Sequence, residues 1–412
     1  MSSVDDLIAL HCPNGVAIRP LGEVGKLVRG NGLQKKDLRD EGIGAIHYGQ
    51  IFTTYGTATT TTKSFVEPVL AARLKRAQPG DLVIATTSEN DEDVCKAVAW
   101  LGDEEIAVSG DAFIYSHDLD PRYVSYFFQT EAFRAQKRRF ISGTKVKRVS
   151  GADLARIKIP VPPLAIQCEI ASILDEMESL KAELEAELEA ELEYRSRQYA
   201  FYRDHLLAGR EGVEVRWVPM GEVGEFTRGR RFTKKDIVED GVPCINFGEI
   251  YTRYGAFAHE VFSHVRSDLA SSLRFAGKGD VVLTGVSETV EDICKAVAWL
   301  GDEDVAVHDD CFVYRHTMNP KYVSYYLQTQ MFHAEKAKHV ARAKVKRISS
   351  ESLAKLTIPV PPRAEQERVV GILDKFDALV NDLSVGLPAE IAARRKQYEH
   401  YRDKLLTFEE AA

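Results

Sequence analysis

The chain has 412 residues, 44% of them hydrophobic, and a formal net charge of −8, which fits two or three domains with ordinary cores. No apolar run approaches the length of a membrane span, and the opening "MSSVDDLIALHCPNG" lacks a basic start followed by an apolar stretch, so a cytoplasmic protein with no membrane partner is expected. Six scattered cysteines (Cys12, Cys95, Cys168, Cys244, Cys294, Cys311) form no C-x-x-C pair, which argues against a zinc site or a disulfide framework.

In chain order, residues 1–160 mix short β-like runs, turns and short helices, the pattern of an α+β domain. A basic group, Arg29, Lys35 and Lys36, comes first. "GDLVIAT" at 80–86 reads as a strand entered from a Gly-Asp turn. "DPRYVSYFFQTEAFRAQ" at 120–136 reads as helical, with aromatic and apolar residues three to four apart. It runs into "RAQKRRFISGTKVKR" at 134–148, where Arg134, Lys137, Arg138, Arg139, Lys145, Lys147 and Arg148 stand without an acid. After the rigid "PVPP" at 160–163, Leu164 to Ala208 contain neither Gly nor Pro. Ile166, Ile170, Ile173, Met177, Leu180, Leu184, Leu188 and Leu192 form an apolar stripe, the mark of a long amphipathic helix that needs a partner helix. Residues 175–193 are dominated by Asp and Glu, so the basic and acidic surfaces should have different partners despite the negative net charge.

The same text then recurs. An offset of 199 positions carries "VCKAVAWLGDEE" (94–105) onto "ICKAVAWLGDED" (293–304), and with no gap carries "GEVG", "KKD", "YVSY", "KVKR", "IPVPP" and "YRD" onto their second copies. "GDVVLTG" at 279–285 and "NPKYVSYYLQTQMFHAEK" at 319–336 repeat the strand and the helical stretch. The second long helix, about 363–406, carries Val369, Ile372, Leu373, Phe376, Leu379, Val380, Leu383 and Ile391, with a break expected at "VGLPAE" where Gly386 and Pro388 interrupt it. The chain therefore divides into a globular domain (1–160), a helix (161–210), a second globular domain (211–359) and a second helix (360–412). Two α+β domains related by a pseudo-twofold axis, with the helices pairing antiparallel, is the simplest assembly of such a duplication.

Motifs of catalysis are missing from this text. The Gly pairs at Gly30/Gly32, Gly42/Gly44 and Gly277/Gly279 lack a third, helix-opening Gly, "VPPL" and "VPPR" are not the catalytic tetrapeptide of amino-methyltransferases, and no G-x-x-x-x-G-K-[ST] occurs. "SENDEDVCK" at 88–96 places acids near Lys96 but not at the spacing of a metal-dependent nuclease, and the eleven His show no metal-ligand spacing. No catalytic or metal-binding residue is predicted.

The basic clusters point to a polyanion instead. Lys145, Lys147 and Arg148 recur as Lys344, Lys346 and Arg347; Arg29, Lys35 and Lys36 recur as Arg228, Lys234 and Lys235, with Arg230 and Arg231 added; Arg138 lies on the same basic run. Cations at this density neutralise phosphates and release counterions. Polar residues near them, in segments that diverge between the copies such as "TTSEND" (86–91) and "GVSETV" (285–290), are candidates for reading base edges: Thr60, Ser88 and Asn90 in the first copy, His259 and Ser287 in the second, with Tyr55 and Tyr254 beside them.

"SGTKVKRVSGADLARIKIPVPPLAIQCEIASILDEM" with the x-A-E-L tract and "RSRQYAFYRDHLL", and its second copy "RAKVKRISSESLAKLTIPVPPRAEQERVVGILDKF" through "YRDKLLTF", resemble the specificity subunit of type I restriction–modification systems over nearly the whole chain. The P-x-P-P-x-x-x-Q junction is Pro160, Pro162, Pro163 and Gln167, then Pro359, Pro361, Pro362 and Gln366; Ile166 departs from the more usual acid, present as Glu365. The resemblance implies two target recognition domains, similar in fold to the DNA-reading domain of type II adenine methyltransferases, joined by an antiparallel coiled coil. It implies double-stranded DNA as partner, with two methyltransferase subunits that use S-adenosylmethionine to methylate one adenine in each half of a split, asymmetric site. Restriction subunits using ATP and Mg would add translocation and cleavage, and this chain itself would bind no cofactor. A self-contained DNA methyltransferase or nuclease is the alternative, and a purely structural coiled-coil adaptor a further one.

Three helical tetrads stand in tandem at 181–184, 185–188 and 189–192. Four residues turn a helix about 400°, so Leu180, Leu184, Leu188 and Leu192 are predicted to stay near one face, and copies to act as a ruler between the two readers.

Overall fold

The computed structural model describes residues 2–209, 212–341, 344–381 and 386–411. They form two compact units, one of residues 1–185 with 392–412, the other of 186–391. Each unit therefore holds one globular domain, the near half of the helix that follows it, and the far half of the other repeat's helix.

In the first unit a five-stranded sheet runs Gly25–Arg29, Ala112–His117, Leu82–Ala85, Ala97–Trp100, Ala58–Thr59, antiparallel except for the last pair. The three central strands are apolar on both faces because both faces are covered. Leu82, Ile84, Ala97, Ala99, Phe113 and Tyr115 enter one core with the helix Pro121–Phe127, while Val83, Ala85, Val98, Trp100, Ala112 and Ile114 enter another. The period of two in each strand thus sorts neighbours into two cores and hides any polar alternation. A second sheet orders Ser64–Val66, Ile43–Ile46, Ile106–Val108 and Arg76–Ala77.

The predicted helix at 120–136 is two helices. Pro121–Phe127 starts on Asp120, whose carboxylate accepts from the N–H groups of Arg122 and Tyr123, and Glu131–Lys137 starts on Thr130, whose hydroxyl accepts from the Phe133 N–H. A cap residue placed between them ends one helix and begins the next. The second unit repeats this architecture, with Asn319 and Thr329 as the caps. The sheet matching the first unit's larger one is Gly224–Arg228, Cys311–His316, Val281–Thr284, Ala296–Trp299, Phe257–Ala258, and the other sheet here also has five strands, gaining Ile237–Val238 beside Ser263–Val265.

The helix Leu164–Leu207 is continuous. Gln167, 2% exposed, fastens its start to the domain: its Oε1 accepts from the Asp120 N–H at 2.9 Å and its Nε2 donates to the Pro162 carbonyl at 2.7 Å. Gln366 does the same with Asn319 and Pro361. Ile166, Ile170, Ala171 and Leu174 are buried, but Leu180 is not; it is 64% exposed, as is its repeat-mate Leu379 at 42%. Leu180 lies about 120° around the helix from Leu174, so the line that continues inward from Leu174 passes through Lys181 and Glu185 instead. Lys181 Nζ lies 4.2 Å from the centre of the Tyr398 ring and Glu185 accepts from Arg395 Nε at 3.0 Å. Leu184, Leu188 and Leu192 are half-buried.

In the second unit Val369, Leu373, Val380 and Ile391 are buried and Ile372 and Phe376 half-buried; Val370, outside the predicted stripe, is buried too. The helix Arg363–Asn381 ends before Leu387–Leu405 begins, with Pro388 in the first turn of the latter, where its missing N–H costs nothing. Leu383 lies outside the described residues.

Candidate nucleic-acid interface

Each unit carries the same device. In the first, the strand Lys147–Arg148 pairs antiparallel with Thr87–Ser88, Lys147 opposite Ser88 and Arg148 opposite Thr87. In the second, Lys346–Arg347 pairs with Val286–Ser287. The "KVKR" cations are thereby joined to the divergent loop that follows the central strand. Lys145, Arg148, Lys344 and Arg347 are exposed; Lys147 is half-buried and pairs with Asp91 at 3.2 Å, and Lys346 is half-buried.

The loop is held from beneath. Lys137 belongs to the basic run by sequence, yet it is 3% exposed, and its Nζ donates to the carbonyls of Glu92 and Val94, both at 2.6 Å. Lys336, 1% exposed, donates to Glu291 at 2.8 Å and to Ile293. Burial pushes both ammonium groups down, Lys336 to about 8. Next to these carbonyls Cys95 and Cys294 hold φ of 66° and 65°, the two non-glycine residues with positive φ among the described residues. Such backbone costs about 1–3 kcal/mol and persists where its surroundings over-determine it. Both thiols are buried and pushed up to about 12, so they are inert packing groups.

A second basic surface lies on a turn between the strands Gly25–Arg29 and Ile43–Ile46 and on its counterpart in the second unit. Lys35–Asp37 is a short 3-10 turn closed by a capping box between Gln34 and Asp37, and Lys234–Asp236 is closed likewise by Thr233. Leu33 and Phe232, buried just before each turn, anchor it and leave Lys35, Lys36, Arg230, Arg231, Lys234 and Lys235 exposed. Arg29 Nε donates to the Gly110 carbonyl at 2.8 Å and its guanidinium pairs with Asp111 at 3.4 Å; Arg228 donates to the Asp309 carbonyl at 2.6 Å. In the second unit Arg228 and Arg347 line one cleft of about 220 Å³, so the two basic groups, more than a hundred residues apart, meet there. Arg73, Lys75 and Arg274 join this surface and were not predicted. Asn31 holds the Arg73 carbonyl and the Lys75 N–H, and Arg274 donates to the Arg228 carbonyl. Single cations in unrelated segments carry no sequence signal until the fold gathers them.

Three residues of the expected DNA-contacting set lie inside the fold. Tyr55 and Tyr254 are buried, and each hydroxyl accepts a loop N–H, from Lys63 at 2.7 Å and Phe262 at 3.3 Å, so they shape the loops from inside. Ser287 is buried and accepts from the Thr289 N–H. Asn90 is exposed, but its amide is engaged with Asp93 through two hydrogen bonds of 2.7 Å, and half-buried Ser88 accepts from the Asn90 N–H. Arg138 is exposed and paired with Glu131 at 3.0 Å; Thr60 and His259 are exposed. His308, Asp309 and Asp310 cluster, but the imidazole is committed within the protein: Nδ1 accepts from the Asp310 N–H and Nε2 faces the Phe232 carbonyl.

A family model described as a type I restriction modification DNA specificity domain matches residues 13–194 and again 212–393. The chain is 34% identical over 279 residues to the specificity subunit of the type I restriction enzyme EcoR124I/EcoR124II from Escherichia coli, covering 64% of this chain and 66% of that one. It is 32% identical over 275 residues to a putative type I restriction enzyme specificity subunit of Haemophilus influenzae, covering 65% and 68%. The matched region thus spans about two thirds of the length of these relatives. Among solved structures, the HsdS subunit from Thermoanaerobacter tengcongensis is similar over 96% of both chains, with a TM-score of 0.53 and 18% identity. A chain from a structural study of complex assembly and conformational transition of the type I R-M system gives a TM-score of 0.64 at 19% identity, over 96% of this chain and 98% of that one. At these identities the likeness is one of fold.

Proposed function

Because this chain belongs to the family of type I restriction modification DNA specificity domains, carrying that domain twice, we propose that it is the DNA-reading, non-catalytic subunit of a methyltransferase–endonuclease complex. The observation that carries the reading is the duplicated device itself. A basic strand is laddered to a loop whose scaffold is the same in both units and whose residues differ at Thr87/Val286, Asn90/Thr289 and Asp91/Val290. A shared scaffold contacts phosphates in one frame, and divergent loops read different base edges, which is what a split, asymmetric site requires.

The chemistry belongs to partners. Two methyltransferase subunits supply S-adenosylmethionine-dependent adenine methylation, and restriction subunits supply ATP- and Mg-dependent translocation and cleavage. The missing donor-loop and nucleotide-loop motifs in this sequence support that division. The test is to map methylated adenines in cells expressing the chain with its methyltransferase subunit. A bipartite motif that disappears without this chain is expected. Methyl transfer by the chain alone would overturn the division in favour of a self-contained methyltransferase.

A further inference from the structure

We propose that Lys137 and Lys336 are positioning residues for base discrimination, each setting the reading loop of its own half-site from inside the domain, without touching DNA. The proposal rests on the DNA-reading assignment above.

Four observations converge. Each ammonium is buried and bonded to two carbonyls that flank the loop's exit, Glu92 and Val94 or Glu291 and Ile293. The residue that follows, Cys95 or Cys294, is held in a left-handed backbone that side-chain-bearing residues rarely adopt. The loop closes on itself through Asn90 and Asp93 in one unit and Thr289 and Asp292 in the other. Its entry is laddered to the basic strand. Removing a buried charge from water is costly, and a domain that needed only stability would place an apolar side chain at such a position. Here the charge holds two carbonyls at one spot, so that the loop and the phosphate-contacting strand move as one piece. Discrimination between bases depends on sub-ångström placement of donors and acceptors, which is what a pinned loop provides.

The duplication supplies its own control. In the assembled complex with methyltransferase subunits, Lys137→Met and Lys336→Met are compared with the wild type. The probes are duplexes carrying the mapped site or one base substitution in either half. The ratio of cognate to substituted binding does not depend on the fraction of active protein, so a folding defect alone leaves it unchanged. For Lys137→Met, the ratio at the half-site read by the first unit is expected to fall about fivefold or more, with the other half-site holding within about twofold. Lys336→Met gives the converse. The salt slope stays that of the wild type, because neither lysine meets a phosphate. Asp93→Ala loosens the same loop while sparing the core, and should reproduce the Lys137→Met result if that variant does not fold. An unchanged ratio, an equal fall at both half-sites, or a salt slope reduced by about one overturns the proposal. If the wild-type complex itself shows no base preference, the DNA-reading assignment fails and takes this proposal with it.

Discussion

Gln167 accepts a hydrogen bond from the Asp120 N–H at 2.9 Å, so one amide joins the start of the long helix to the cap of a helix 47 residues earlier. Its Nε2 closes onto Pro162, which places the repeated spacing of the P-x-P-P-x-x-x-Q junction in a single buried knot. Gln167→Leu leaves the Asp120 N–H and the Pro162 carbonyl buried without partners. A loss of about 1–3 kcal/mol is expected. Denaturant unfolding of the full chain checks it, with the transition of the first unit moved and that of the second, still holding Gln366, in place.

Replacing Lys145, Lys147 and Arg148 by Ala should weaken binding to all duplexes and flatten the salt dependence. Every phosphate left without its cation lowers the slope of log K against log salt by about 0.9. Lys145 and Arg148 are exposed, whereas Lys147 already pairs with Asp91. The single variants should therefore rank with Lys147→Ala the mildest. Filter binding of the assembled complex at several salt concentrations measures this.

The tetrads at 181–192 lie where the chain passes from one compact unit into the other. Deleting residues 185–188 shortens the helix by about 6 Å and turns it by about 40° beyond a full turn. Half-sites should be kept and the unread spacer shortened by about one base pair and at most two, given about 3.4 Å per step. Mapped methylated adenines in the deletion strain decide it, and an active variant with the original spacer would sink the ruler.

Acid should unfold this protein partly through two histidines. Burial lowers His117 and His316 to about 4 from 6.5. Between those values the unfolded chain binds more protons than the folded one, so stability is fully present above pH 6.5 and is lost as pH falls toward 4. Replacing either with Gln should flatten the stability–pH slope in that window by up to one proton. Chemical denaturation at pH 7, 6, 5 and 4.5 reads the slope directly.

Much of this was legible without coordinates, because duplication and covalent spacing are properties of the text. The offset of 199, the gap-free helix Leu164–Leu207, the strands at the Gly-Asp turns and the proline–glutamine junction all follow from local pattern. Burial does not. Lys137 sits in a basic run and reads as a phosphate contact, but the helix Glu131–Lys137 turns it inward onto two carbonyls. Tyr55 and Tyr254 are expected beside the base readers, and their hydroxyls hold loop N–H groups from within. Leu180 reads as core, but it stands about 120° around the helix from buried Leu174, so it faces outward while Lys181 and Glu185 continue the inward line. Arg73, Lys75 and Arg274 carry no local signal, and only the folded chain's hydrogen bonds, to the Asn31 amide and the Arg228 carbonyl, bring them beside the basic turns. Periodicity records which residues share a face, but which way that face points depends on non-local partners, and those exist only once the chain has folded.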